Sequence, residues 1–126
     1  MKFFLRNIFL VSCLMASSAM ADTVAFTQTS FDQLQKAGKP ILVHIHANWC
    51  PTCRAQSPII SSLLKQNEFK NLTSLRVDFD NQKDIVRAFH VSQQSTLIVF
   101  KGGKEVGRSL GDTTPSGIEK LLRKTL

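Results

Sequence analysis

The chain has 126 residues, three cysteines, no tyrosine and a formal charge of +7 from 16 Lys+Arg against 9 Asp+Glu. Its length fits one domain, and 43% hydrophobic with 20% charged residues excludes a disordered tail, a collagen-like repeat and a disulfide-dense miniprotein. An odd cysteine count needs an account, because a leftover thiol is a liability wherever disulfides form.

Met1 to Ala21 reads as a cleaved export signal. Lys2 and Arg6 give a positive start, Ile8 to Ala16 is apolar apart from Ser12, and Ala19-Met20-Ala21 offers small residues to a signal peptidase. The apolar run falls short of the roughly 20 residues that span a bilayer. Three readings compete: an uncleaved anchor, a buried helix, and a lipoprotein box at Leu10-Val11-Ser12-Cys13 that would tether the chain through a lipid on Cys13. Cleavage after Ala21 discards Cys13 and leaves residues 22–126 with an even pair, Cys50 and Cys53.

Val24 to Thr27 is a short strand. Ser30 and Gln33 have capping-box spacing and open a short helix with Phe31 and Leu34 on its apolar side, stopped at Gly38. Ile41 to Ala47 is a continuous apolar, β-branched run, as in a strand buried on both faces. Cys50 to Gln66 is helical, with Ile59, Ile60, Leu63 and Leu64 on one side and a kink expected at Pro58. Leu75 to Phe79 is a strand and Asn81 to His90 a helix. Thr96 to Phe100 and Lys104 to Leu110 form a hairpin turned by Gly102-Gly103. Thr114 and Pro115 then cap and start a last helix with Ile118, Leu121 and Leu122 inward. The order β-α-β-α-β-α-β-β-α predicts an α/β domain over 22–126, with a mixed central β-sheet flanked by helices on both faces.

Basic residues are scattered, the densest spot being Arg123-Lys124, where cations suit a helix C-terminus. No basic stripe interleaved with aromatics argues for nucleic acid as a partner.

Trp49-Cys50-Pro51-Thr52-Cys53 lies where the buried strand ends and a helix begins. With Cys50 as N-cap, its sulfur faces the free amides of the first turn, and the helix dipole favours a thiolate there. Pro51 fits the first helical position, where a missing N–H costs nothing. Cys53, one turn in, should be more buried and less acidic. Cys50 is therefore the expected nucleophile and Cys53 the resolving thiol of a redox-active disulfide that needs no cofactor. A structural disulfide over so small a loop constrains the unfolded chain little. Zinc wants four ligands, and only His44 and His46 lie near enough in sequence to complete a site. No metal is expected.

The chain resembles the thioredoxin superfamily over nearly all of 22–126. The resemblance rests on Trp49-Cys50-Pro51-Thr52-Cys53 after an apolar strand, Pro58 five residues beyond the second cysteine, Asp78-Phe79-Asp80, and Thr96 to Val106. It implies the thioredoxin-like fold and thiol–disulfide exchange with protein thiols and disulfides. With the export signal it implies a periplasmic member fed by a membrane electron donor, and the length leaves room for a monomer without an added dimerising domain. Trp49, Pro51, Thr52, Gln94 and Ser95 then form the substrate-facing set.

Two departures stand out. The family's cis-proline before the Thr-Leu strand is replaced by Ser95, for which a trans or strained peptide is expected and which leaves room beside the sulfurs. The family's buried aspartate six residues before the first cysteine is replaced by His44. A neutral His44, its pKa lowered further by Arg76, is expected to take the Cys53 proton or else simply to pack. His46 and His90 read as packing or surface residues. The lack of a histidine beside Cys53 favours the reductase direction. A metal or iron–sulfur module using the same cysteines, or a non-catalytic binding protein on the same fold, are the competing functions.

Overall fold

The computed structural model describes residues 23–126, so the signal, anchor and lipid-box readings of the N-terminal segment fall outside the described residues. Nine numbered elements follow in chain order: β1 (Thr23–Ala25), α1 (Gln28–Lys36), β2 (Ile41–His46), α2 (Pro51–Leu64), β3 (Thr73–Asp78), α3 (Lys83–Ala88), β4 (Thr96–Lys101), β5 (Lys104–Leu110) and α4 (Pro115–Arg123). A 3₁₀ turn, Asn67–Phe69, follows α2. The order matches the sequence reading. The sheet runs β1-β3-β2-β4-β5, with β1, β3 and β2 parallel and β4 and β5 antiparallel.

β2 lies in the middle, and each of its residues is buried. Its side chains alternate between two cores. Leu42 faces α2 and α4 with Leu97, Val99, Ile60, Leu63, Ile118 and Leu122. Ile41, Val43 and Ile45 face the other layer, where Phe31 of α1 and Val86 of α3 pack on Leu75, Val77 and Ile98. This is the sandwich of helices on both faces of a mixed sheet. His44 and His46 share the Leu42 side of β2, so they lie beneath α2 at the C-terminal end of the sheet.

Several local boundaries differ from the sequence reading. Thr27, not Ser30, caps α1: its side chain accepts from Ser30 N–H at 3.1 Å, and Ser30 lies inside the helix. The two cap signals are offset by three residues, and the earlier start brings Phe31 onto the core with only 8% exposure. β1 accordingly stops at Ala25 so that Thr27 can leave the sheet. α3 begins late because Asp78 Oδ1 accepts the amides of Asp80 and Asn81 in a turn. It ends before His90, whose φ of 54° is left-handed. α2 runs unbroken past Pro58, which lies on its exposed side. The 3₁₀ turn has no periodic signal and is anchored by Phe69, 1% exposed. Gly102 and Gly103, both at positive φ, turn the hairpin as expected.

Candidate active site

The chain leaves β2 through Ala47-Asn48-Trp49 and enters α2 at Cys50. Cys50 N–H donates to Ala47 O at 3.1 Å, which turns the residue into the N-cap. Cys50 Sγ then accepts the Cys53 amide hydrogen at 3.1 Å. The sulfur thus does what a serine or aspartate oxygen does at other helix starts. Pro51 takes the first helical position, where it forfeits no hydrogen bond.

Both cysteines are thiols. Cys53 is fully buried and Cys50 nearly so, at 2% exposure. Burial works against charge on Cys50, but hydrogen bonds from Cys53, from Ser95 and from the amides of Cys53 and Thr52 outweigh it and bring the thiol below its ordinary pKa. Burial pushes the Cys53 thiol up, and its hydrogen bond to Cys50 pushes it further. The asymmetry expected from the sequence is present in the site.

Ser95 occupies the loop before β4. Among the described residues no peptide bond is cis, and Ser95 adopts a φ of 65°. That conformation is unfavourable for a residue with a side chain. Its backbone is held there from both ends. Ser95 N–H donates to Ile45 O at 2.8 Å, while Ser95 O accepts from Gly111 N–H at 3.0 Å and from Gln56 Nε2 at 3.2 Å. The side chain does not leave an opening beside the sulfurs, as loss of a proline suggests. Its hydroxyl fills the space, with Oγ 3.1 Å from Cys50 Sγ and 3.2 Å from Cys53 Sγ.

His44 is 1% exposed, with Nε2 3.2 Å from Gln56 Oε1. Among the described residues the ring forms no hydrogen bond to Cys53, whose sulfur instead meets Ser95 Oγ and, at 3.9 Å, Ile45 O. Burial first, then the charges of His46 and Arg76, lower the His44 pKa to about 3 against the Gln56 hydrogen bond. The ring is neutral, as expected, yet far too weak a base for ready proton capture. His46 is buried against it, the rings meeting edge to face at 5.3 Å. Arg76 Nη2 lies 3.4 Å from Ser57 Oγ.

Trp49 stands out at 56% exposure, its indole N–H donating to Asp80 Oδ2 at 2.8 Å. It borders a cleft of about 780 Å³ that reaches His46, Arg76 and Ser57. Pro51 is exposed, Thr52 and Gln94 half-buried. The structure therefore gathers Cys50, Cys53 and Ser95 into direct contact, sets Trp49 beside them, and keeps His44 behind Gln56. His90 is exposed and lies outside the group. Among the described residues no group of three or more His, Cys, Asp or Glu side chains is placed to hold a metal.

Gln56 escapes the sequence reading, and Asp80 enters it only within the Asp78-Phe79-Asp80 motif, without its contact to Trp49. Gln56 is buried three residues after Cys53, on the same side of α2, and donates to both Ser95 O and Asp112 O. A polar residue in the stripe Cys53, Gln56, Ile60 was the available signal.

The thioredoxin family model matches residues 22–124. A thioredoxin of Chlamydia trachomatis is 36% identical over 84 residues, 67% of this chain and 80% of its own length. A thioredoxin of Mycobacterium tuberculosis is 32% identical over 111 residues, covering 87% of this chain and 92% of its own. Among solved structures, Trxlp from Edwardsiella tarda superposes with a TM-score of 0.78 at 40% identity, covering 80% of this chain and 98% of that one. Thioredoxins are thiol–disulfide oxidoreductases that reduce protein disulfides through a redox-active cysteine pair and need no cofactor. Matched along almost the whole of its described length, and carrying such a pair at the start of α2, this chain belongs to the thioredoxin family.

Proposed function

We propose that this chain is an exported reductase of protein disulfides that works in the periplasm as a monomer and is recharged by a membrane electron donor. The observation that carries the redox assignment is the contrast between the sulfurs. Cys50 collects hydrogen bonds at the mouth of α2, and Cys53 lies fully buried behind it. Cys50 attacks the partner disulfide as a thiolate, forming a mixed disulfide. Cys53 then attacks Cys50 Sγ and releases the reduced partner. Trp49, Pro51, Thr52 and Gln94 surround the approach to Cys50 and receive the partner chain. His44 acts as a positioning residue: neutral and buried, it holds Gln56, and Gln56 holds the Ser95 backbone.

Export is supported by the charged start, apolar run and Ala19-Met20-Ala21 of the N-terminal segment. The reductase direction is supported by Pro51-Thr52, which places no histidine beside Cys53 to stabilise the dithiol form further.

The deciding experiment expresses the full chain with Cys53→Ala and captures adducts on a non-reducing gel. Mixed disulfides through Cys50 should accumulate and vanish on adding Cys50→Ala. Absence of adducts, together with failure of the unmutated protein to reduce insulin, sinks the redox reading. N-terminal sequencing of secreted product tests cleavage after Ala21, and a retained, lipidated Cys13 would replace the soluble form with a tethered one.

A further inference from the structure

The Ser95 hydroxyl touches both sulfurs of the pair, at 3.1 and 3.2 Å, and the backbone hydrogen bonds at both ends of the residue hold it there. A hydroxyl has one hydrogen to give and lone pairs to receive. When Cys50 is a thiolate it can only accept, so Ser95 must donate to it. The Ser95 oxygen is then free to accept from the Cys53 thiol. The order Cys53 S–H to Ser95 O–H to Cys50 S⁻ is the arrangement in which both Ser95 contacts are hydrogen bonds, with the single Cys53 hydrogen turned to Ser95 Oγ at 3.2 Å rather than to Cys50 or to the more distant Ile45 O at 3.9 Å.

We propose that Ser95 is a catalytic group of this redox centre, its hydroxyl stabilising the attacking Cys50 thiolate and then carrying the proton that Cys53 must lose. In the second step the Cys53 Sγ–Cys50 Sγ bond forms, and the bond from Cys50 Sγ to the partner sulfur breaks. The Cys53 proton moves onto Ser95 Oγ as the Ser95 proton moves to the departing partner sulfur, which leaves as a thiol. The two cysteines lose two electrons and the partner disulfide gains them. The held positive φ serves this role, since it keeps the hydroxyl between the sulfurs. The lowered Cys50 thiol, to which the Ser95 hydrogen bond contributes, agrees with the arrangement. Ser95 also supplies the proton route that His44 does not, because His44 is turned to Gln56.

The proposal rests on the redox reading above, and two variants of the full chain test it separately. Ser95→Ala removes the hydroxyl and keeps the backbone demand. Ser95→Gly removes the hydroxyl and suits a φ of 65°, so it folds without strain. In both, the pH profile of Cys50 alkylation should move up by about one unit, roughly a tenfold loss of thiolate below the midpoint. Release of a thiol from a preformed mixed disulfide should slow by a similar factor. Unshifted profiles and unchanged release in both variants overturn the proposal while leaving disulfide exchange intact. A shift in Ser95→Ala that is absent in Ser95→Gly assigns the effect to the backbone and overturns it as well. Failure of the unmutated protein to exchange any disulfide removes the redox reading itself, and the proposal with it.

Discussion

Gln56 and His44 fix one another's hydrogen-bonding roles. Gln56 Nε2 reaches two backbone carbonyls, Ser95 O and Asp112 O, which can only accept. The amide must therefore turn its nitrogen to them and its oxygen to His44. His44 Nε2, 3.2 Å away, then has to carry a hydrogen. That nitrogen is already occupied in the neutral ring and has no lone pair with which to take a proton from a thiol.

Replacing Gln56 should loosen several contacts at once. Gln56→Leu takes one of two donors from Ser95 O, leaves the part-buried Asp112 O without its described donor and strands the His44 N–H, so a loss of about 1–3 kcal/mol is expected by urea denaturation. Cys50 alkylation should also slow, because Ser95 loses one of its anchors. A variant as stable as the parent would show that solvent or a neighbour replaces the amide without cost.

Acid should destabilise the fold through His44. Its folded pKa, lowered to about 3, lies below the value near 6.5 of an unfolded histidine. The unfolded chain therefore binds the proton first. The contribution to stability is complete above about pH 6.5 and is lost as pH falls from there towards 3, up to a limit on the order of 5 kcal/mol. His46, also lowered by burial and Arg76, acts in the same direction. Asp78, Glu105 and Asp112 are held below the usual carboxylate range and add their losses at lower pH. Denaturation curves between roughly pH 6.5 and 5.5, above the range where unfolded carboxylates take up protons, thus report chiefly on the histidines. His44→Leu should flatten most of that slope, and an unaltered slope would place its origin elsewhere.

Trp49 is the only tryptophan, with Trp counted once in the whole sequence, so its fluorescence reports on the site alone. Asp80→Ala frees the indole from its one described hydrogen bond. Because the ring is 56% exposed, stability should change by less than about 1 kcal/mol. Fluorescence anisotropy should fall, and KM for a protein disulfide should rise a few fold with kcat little altered. A freer ring with unchanged KM would separate Trp49 from partner binding.

Gly117 carries a more distant effect. A Cβ there would lie 2.0 Å from Asp112 Oδ2 and 2.7 Å from Thr114 Oγ1. Thr114 Oγ1 is the cap of α4, accepting from Gly117 N–H at 3.2 Å, and Asp112 O is one of the carbonyls that Gln56 holds. Gly117→Ala should cost about 1–2 kcal/mol in thermal or urea unfolding, the range of a lost cap. It should also raise the Cys50 alkylation midpoint slightly, through Asp112, Gln56 and Ser95. Unfolding data indistinguishable from the parent would mean that the loop reshapes freely.

Periodicity and end signals carried most of the architecture. The β-branched run of β2, the glycine pair at the hairpin and the Thr114-Pro115 start of α4 all express local chemistry that reads directly from neighbours in sequence. Competing local signals were decided by distant ones: Thr27 won over Ser30 because of where Phe31 had to pack. In the site, Cys50 and Cys53 were legible because helix geometry alone places them. The bridging of both sulfurs by Ser95 was not, since it depends on a loop 45 residues after Cys50 and on three hydrogen bonds of the Ser95 backbone, two with the backbone of Ile45 and Gly111 and one with the Gln56 side chain. Nor was the turn of His44 towards Gln56, which requires knowing that β2 and α2 face each other across a buried polar layer.

Cys50 is both a reacting atom and the peg on which α2 hangs its first turn. In a disulfide that sulfur is a poorer acceptor, so the first turn of α2 is expected to loosen when the partner is attached. Turnover should therefore loosen and restore that turn once per cycle. Amide hydrogen exchange at Cys53 becomes a clock for it, slow in the thiolate and faster in each disulfide-bonded form.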